Sequence, residues 1–394
     1  MAAPRVLVVL DTAGAWSRGI LLGFAAVAHE QGWTLVHYHP NADLRWLLAH
    51  WRPDAMVCDP WFAGSWSAQL RERVSVVVNG DGTLEGVASV CLNEARIAEL
   101  ALEHLLARGF QNLSVFRFTD SGFAVQRDKY FSEGALRARA LLQPGWWQDA
   151  ATPPRRQEQP AAIAAWLAGL PKPCGVFTCC DSWARVVSRY ARAIGLRVPE
   201  DLALVGVDND LVECQVMAPP LTSVAVPWRS VGESAARLVL LGLNGTPIAS
   251  ERVLVEPVDV IIRRSSATFA IQDELVAKAV AWIHAHADKR LSVPVVAKAA
   301  GAPRQRLERH FRSALGRTVL EEIRRAHVEI ARRLLLTTEL SLLEVAKRSG
   351  FTNAALLSVS FRRELGIPPG AYRRNARGLL TSDDDDSEVA AAAT

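Results

Sequence analysis

Apolar residues fall along this chain in two different rhythms. Up to about residue 262, short apolar runs alternate with longer segments whose apolar positions recur every three or four residues. Arg5–Leu10 (RVLVVL), Thr34–Tyr38, Ala55–Cys58, Arg73–Val78, Leu113–Phe118, Cys174–Cys179 and Leu202–Val207 read as strands. Segments 17–31, 43–51, 93–108, 124–141, 159–169, 182–194 and 228–243 read as helices, three of them closed by Gly32, Gly109 and Gly195. Trp146–Trp147 reads as a loop or short strand, and 252–262 as a final strand pair broken at Pro257. Repeated strand–helix units imply parallel sheets covered by helices. A stretch this long exceeds one simple doubly wound sheet, and two lobes of about 120 residues each fit it better. In such sheets ligands bind beyond the carboxyl ends of the strands. That rule directs attention to Asp11, Asp59, Asp81, Thr119–Asp120, Asp181 and Asp208–Asn209.

Beyond the polar stretch Arg263–Ala270 the strand signals vanish, and 272–375 reads as helix after helix. This part repeats itself. Val296-Ala297-Lys298-x-x-Gly301 recurs as Val345-Ala346-Lys347-x-x-Gly350, and Phe311-Arg312-x-x-Leu315-Gly316 as Phe361-Arg362-x-x-Leu365-Gly366. Each unit is an apolar helix, a glycine turn and an amphipathic helix, the pattern whose second helix lies in a DNA major groove. A helix over 319–336 joins the units. At 1.5 Å per residue it spans roughly 27 Å, close to one DNA turn.

Charge sharpens this picture. Residues 1–270 hold 25 Lys and Arg against 26 Asp and Glu, whereas 271–378 hold 20 against 10. The helical third therefore carries the strong positive field, as a polyanion partner requires. Residues 379–394 carry five acidic residues and read as a disordered acidic tail. No apolar run approaches the length of a membrane span, and Val6–Leu10 is too short for a secretory core, so the expected compartment is the cytoplasm. The six cysteines lack C-x-x-C spacing and read as small buried residues. There is no P-loop, G-x-S-x-G or H-E-x-x-H, so neither an enzyme nor a cofactor is expected. His37/His39 and His284/His286 resemble metal ligands only by composition, and no metal is expected.

Two resemblances follow from these residues. The segment 291–375 resembles the AraC/XylS-type DNA-binding domain, on the run Ser341 to Phe351, then Phe361, and the ending Pro368-Pro369-Gly-Ala-Tyr372-Arg373. Residues 1–265 resemble the periplasmic-binding-protein-like sensor of LacI/GalR regulators, on Leu204-Val-Gly-Val-Asp208-Asn209-Asp210, Pro220-Leu-Thr-Ser-Val224 and Val258 to Ser265. Together they imply a two-lobed α/β sugar sensor with parallel sheets over 1–265, a linker over 266–271, and an all-α double helix-turn-helix domain over 272–378.

The implied function is a sequence-specific transcription regulator, an activator, that binds a small sugar between its lobes. Its partners would be operator DNA, RNA polymerase and a second copy of the chain, and its inducer a pentose such as xylose. The implied sugar contacts are Asp11, Trp16, Arg127, Asp181, Asp208 and Asn209, with Trp183 able to stack. The implied base-facing residues are Gln305, Glu308 and Arg309, with Arg304, Arg306 and Arg312 meeting phosphates or solvent. The second reading helix departs from the family in having Val359 where arginine is common, which leaves Asn353, Ala354 and Ser358 for hydrogen bonds or thymine-methyl contact. Competing readings are a carbohydrate-binding protein with a basic helical appendage, and a regulator answering to a non-sugar ligand or a protein.

Overall fold

The computed structural model describes residues 3–39, 41, 43–63, 67–79, 84–147, 159–249, 251–271 and 273–380. Asp81 and the tail beyond 380 lie outside the described residues. The first lobe opens with β1 (Arg5–Val9), α1 (Ala15–Glu30), β2 (Thr34–Tyr38), α2 (Leu44–Trp51), β3 (Ala55–Cys58), α3 (Pro60–Ala63), α4 (Ser67–Arg71), β4 (Val74–Val78) and β5 (Ala88–Leu92). The chain then crosses into the second lobe. There it forms α5 (Glu94–Ala107), β6 (Asn112–Arg117), α6 (Gly122–Arg137), β7 (Leu141–Leu142), β8 (Trp146–Trp147), α7 (Gln159–Gly169), β9 (Cys174–Thr178), α8 (Asp181–Ala193), β10 (Leu202–Asp208), α9 (Leu211–Val216) and β11 (Thr222–Ala225). It returns to the first lobe for α10 (Trp228–Leu243) and β12 (Arg252–Val255), and crosses back for β13 (Asp259–Ile261).

The first sheet has the order β12-β5-β4-β3-β1-β2 and is parallel throughout. The second runs β13-β11-β10-β9-β6-β7, with β8 also on β6, and only β13 is antiparallel. Helices cover both faces, which is why runs such as Val6–Val9 are apolar at every position instead of alternating. The pair expected at 252–262 does break at Pro257, but its halves join different sheets. All three lobe crossings touch. Asn93 Nδ2 donates to the Glu256 carboxylate at 2.9 Å, and Val258 N–H donates to Ala225 O at 2.9 Å.

Helices α1 and α10 cross through glycines. A Cβ on Gly232 would lie 1.9 Å from Ile20 O, and one on Gly23 would lie 1.9 Å from Arg229 O. Alanine ordinarily stabilises a helix interior by about 1 kcal/mol over glycine. Here the backbones must separate, so Gly232→Ala is expected to lose about 2 kcal/mol of stability, read as a lower urea midpoint.

The helical third is contiguous: α11 (Glu274–Ala285), α12 (Val293–Ala300), α13 (Arg304–Leu315), α14 (Val319–Thr337), α15 (Leu342–Arg348), α16 (Ala354–Leu365) and α17 (Pro369–Leu380). It has two small cores, one around Val296, Leu307 and Phe311 and one around Val345, Leu357 and Phe361. Both share α14, whose start is fixed by a Thr318/Glu321 capping box; α15 has its own in Ser341/Glu344. The repeated glycines Gly301 and Gly350 sit at φ 72° and 76°, a turn that side chains rarely allow. The expected linker is not a loose tether. Ser265 and Ser266 are fully buried, Ser265 Oγ donates to Leu204 O, and Ala270 N–H donates to Arg108 O.

Candidate functional site

Where the chain first enters the second lobe, α5 begins with a buried acid, Glu94. Arg127 of α6 reaches it, with Nε donating to Glu94 at 2.5 Å and Nη1 donating to Cys179 O at 2.6 Å. Arg127 is 2% exposed, so this pair is desolvated. Burial pushes the Glu94 carboxyl up from its usual range, and the Arg127 charge opposes it. Arg127 also bears electrostatically on Asp208, at the end of β10. Burial raises Asp208 well above the usual range; Arg127 pulls it down, while Asp181, Glu94 and Asp210 push it further up. Asp208 and Asn209 both hold positive φ, 111° and 55°. Strained backbone in two successive residues is characteristic of functional sites.

The other expected sugar contacts are placed unevenly. Asp181 is 1% exposed. Its carboxylate accepts from Ser223 Oγ at 2.7 Å and from Asp210 N–H at 2.9 Å, and Cys214 Sγ lies 3.4 Å away. Gly206 makes room for it, since a Cβ there would lie 2.2 Å from Oδ1. Burial lifts Asp181 to about 7, against hydrogen bonds from these partners and the Arg263 charge. It therefore braces the loop that presents Asp208. Asn209 Oδ1 accepts from Arg263 Nη2 at 2.6 Å.

On the first lobe, Asp11 accepts from Ala13 N–H at 2.9 Å and faces His39 at 3.5 Å, and Trp16 leans on Trp228 with ring centroids 6.0 Å apart. Asp120 pairs with Arg117, Asp59 is buried, and His37 Nε2 lies 3.0 Å from Leu10 O. The six cysteines are free thiols, five buried and Cys180 half-buried.

Of the aromatic wall beside Glu94, only Trp183 stood out in the sequence; Glu94, Phe118 and Phe123 did not. Phe123 and Trp183 stack at 6.1 Å, Phe118 meets Trp183 edge-on at 6.0 Å, and the Arg127 guanidinium lies 5.0 Å from the Phe123 ring. These rings stand at the carboxyl ends of β6 and β9, where a flat apolar ligand face would meet them. A cavity of about 680 Å³ opens between Asp208 and Asn209 of one lobe, Ala15, Arg18 and Trp228 of the other, and Ile330 of α14.

On the helical third, Arg304, Gln305, Arg306 and Arg309 are all exposed along α13. Glu308 is half-buried, and its carboxylate accepts from Val319 N–H at 3.4 Å, the first residue of α14. On α16, Asn353 Oδ1 caps the helix by accepting from Leu356 N–H at 2.8 Å, and Ser358 Oγ donates to Ala354 O at 2.8 Å. Ala354 is half-buried. The hydroxyl of Ser358 and the amide oxygen of the N-cap Asn353 are thus engaged within the second unit.

Comparison with known proteins agrees with this arrangement. A periplasmic binding protein-like domain matches residues 102–266, and a helix-turn-helix domain matches 296–375. The xylose operon regulatory protein of Escherichia coli K12 is 28% identical over 337 residues, 83% of this chain and 85% of that one. The solved structure of a xylose-binding transcription activator superposes with a TM-score of 0.59 at 24% identity, over 94% of this chain and 97% of that one. The regulatory protein SoxS of Salmonella typhimurium is 33% identical over 100 residues, 25% of this chain and 94% of its own length. The chain belongs to the AraC-type helix-turn-helix family.

It is a DNA-binding transcription regulator, and the basic helical third is its AraC-type domain, not an unspecialised appendage. Among the described residues, no helix is long and apolar enough to cross a membrane.

The AraC-type domain is docked on the two-lobed domain through α14. Arg108 Nη2 donates to Glu329 at 2.9 Å, and Arg317 Nη2 donates to Ala107 O at 2.8 Å. Half-buried Arg332 pairs with Asp259 and donates to Val260 O at 3.0 Å. Behind these contacts lies Glu322, 1% exposed, with His284 Nε2 at 2.9 Å and Arg317 Nε at 2.5 Å. Burial works to raise the Glu322 carboxyl, but the His284 hydrogen bond and the Arg317 charge outweigh it and hold the group at about 2.

A depressed carboxyl contributes stability above its unfolded pKa and loses it as pH falls through the folded one. The AraC-type domain should therefore lose up to about 3 kcal/mol between pH 4.5 and 2 through this group. Glu322→Gln is expected to flatten that limb of the urea midpoint against pH. An unchanged slope would count against the assignment.

Proposed function

We propose that this protein is a sugar-controlled activator of transcription. A small sugar, with a pentose such as xylose as the leading candidate, binds between the lobes. Its hydroxyls meet Asp208, Asn209 and Arg127, with Asp11 and Trp16 on the facing lobe, and its apolar face meets Phe123 and Trp183. Asp181 supports the site by bracing the Asp208 loop. The observation that carries this reading is Asp208, held at positive φ beside the buried Arg127–Glu94 pair where the lobes meet. The xylose operon regulators, similar over most of the chain, supply the choice of sugar. A ligand shifts such an equilibrium only through its preference for the closed state.

The same reading makes the protein a cytoplasmic homodimer that presents its AraC-type domains to repeated half-sites and contacts RNA polymerase there. The first reading helix carries most of the base recognition through Gln305 and Arg309, with Arg304 and Arg306 toward phosphates. Arg309→Ala is expected to weaken operator binding about 10-fold or more. Ser358→Ala, whose hydroxyl is committed to Ala354 O, should change it little. Equal losses in a binding-site selection would refute that ordering.

The deciding experiment is the thermal unfolding of the full chain with a panel of pentoses and hexoses. A ligand at 100 times its Kd adds about 2.7 kcal/mol, an easily read shift in Tm. A shift with xylose alone supports the reading. A protein that binds DNA yet answers to none of the sugars would overturn it and leave a regulator controlled by another ligand.

A further inference from the structure

The two reading helices share their placement but not their chemistry. Aligned on Phe311 and Phe361, Gln305, Arg306 and Arg309 of α13 correspond to Ala355, Leu356 and Val359 of α16. All six are exposed, Leu356 to 46% and Val359 to 66%. A single exposed apolar residue signifies little. Here three fall on one helical face, at the positions that in the first unit are polar or basic.

The polar groups nearby are already engaged. Asn353 caps the helix and Ser358 bonds back to Ala354 O. The rim is cationic, with Arg362 and Arg363 exposed at the end of α16 and Lys347 and Arg348 exposed on α15. An apolar centre with a basic rim suits a surface whose edges are phosphates and whose floor offers apolar groups. Among the four base edges in the major groove, only thymine presents one, its C5-methyl.

We propose that α16 reads thymine through Ala355, Leu356 and Val359, which pack against C5-methyl groups in the second major-groove segment of each half-site, while Arg362 and Arg363 face the backbone. This rests on the DNA-binding role of the AraC-type domain. A half-site would then combine a segment read by hydrogen bonds with a thymine-bearing segment about one helical turn away.

The test uses the full-length chain and duplexes that it enriches from a random pool. Each thymidine of the enriched sequence is replaced in turn by deoxyuridine, which removes only the methyl group. The expected result is a cluster of thymines in one segment, each replacement weakening binding about fourfold. Leu356→Ala and Val359→Ala should lose that penalty and bind both duplexes alike.

Indifference to uridine throughout overturns the proposal, as does a penalty that persists in the Leu356→Ala/Val359→Ala double variant. So does a double variant that binds the duplex like the parent but no longer supports transcription with RNA polymerase, because the apolar face would then serve a protein contact. A chain that enriches no duplex at all sinks the DNA-reading role itself, and this inference with it.

Discussion

Arg127→Ala is expected to cost the two-lobed domain about 3–5 kcal/mol, because it strips a buried carboxylate of its cation. Glu94 is 8% exposed, and Arg127 is the cation hydrogen-bonded to it. Without the guanidinium, Glu94 and Asp208 must take up protons or leave the cleft. Both carboxyls already stand above their usual range, and removing Arg127 drives them higher. A group whose folded pKa is raised loses stability as pH climbs through it. The deficit of the variant should therefore be smaller near pH 5 than near pH 8. Arg127→Met combined with Glu94→Leu removes both charges and is expected to recover most of the loss. Urea midpoints at the two pH values measure all of this. A single variant that loses less than about 1 kcal/mol would show the pair to be replaceable by water.

Asp259→Asn is expected to separate sugar binding from DNA binding. Asp259 opens β13, directly after the third lobe crossing, and its carboxylate holds Arg332 on α14. On the proposed reading, lobe closure would displace that strand, and the Asp259–Arg332 ion pair would pass the displacement to the helix shared by both reading units. Breaking the pair leaves half-buried Arg332 with Val260 O and the charge of Glu329 alone, at a cost of about 2 kcal/mol. More telling is the functional outcome. On the proposed reading, the variant should keep the parent's Tm shift with the sugar that binds, while its operator affinity becomes the same with and without that sugar. If the sugar still changes operator affinity as in the parent, coupling runs through Arg108–Glu329 or Arg317 instead.

Local rules reached far into this fold. The repeated helix-turn-helix could be read because each unit is short, contiguous and punctuated by glycine at fixed spacing. The first strands could be read because a strand buried on both faces is an unbroken apolar run. Three strands escaped that logic: Ala88–Leu92, Thr222–Ala225 and the short Leu141–Leu142, which continued the helical pattern of 124–141 although that helix ends at Arg137. Thr222–Ala225 carries hydroxyl residues that belong in the core only because distant partners satisfy them: Thr222 Oγ1 donates to Arg263 O, and Ser223 Oγ donates to Asp181.

The same limit governed the site. Asp208, Asn209 and Arg127 stood out from the family pattern. Glu94 looked like an ordinary acid in the first turn of a helix until Arg127, 33 residues away, was folded against it. Asp181 was legible as a strand-end acid. The direction of its carboxylate was not, because Ser223 and Asp210 N–H set it from other elements.

The order in which the chain visits its lobes also governs its birth on the ribosome. The first lobe begins at Arg5 but lacks its edge strand, Arg252–Val255, and the covering helix Trp228–Leu243 until residues after the whole second lobe have been made. Its opening sheet must wait, unfinished, while well over a hundred further residues emerge, and pairings so distant in sequence form slowly. While it waits, the unfinished sheet exposes apolar faces and an unpaired edge, the features that make a nascent chain prone to aggregate. The DNA-reading helices have no such wait: each contacts its neighbours in sequence, and the domain closes as soon as its last helix is free. Synthesis therefore yields a finished reader only after the part that controls it can be complete.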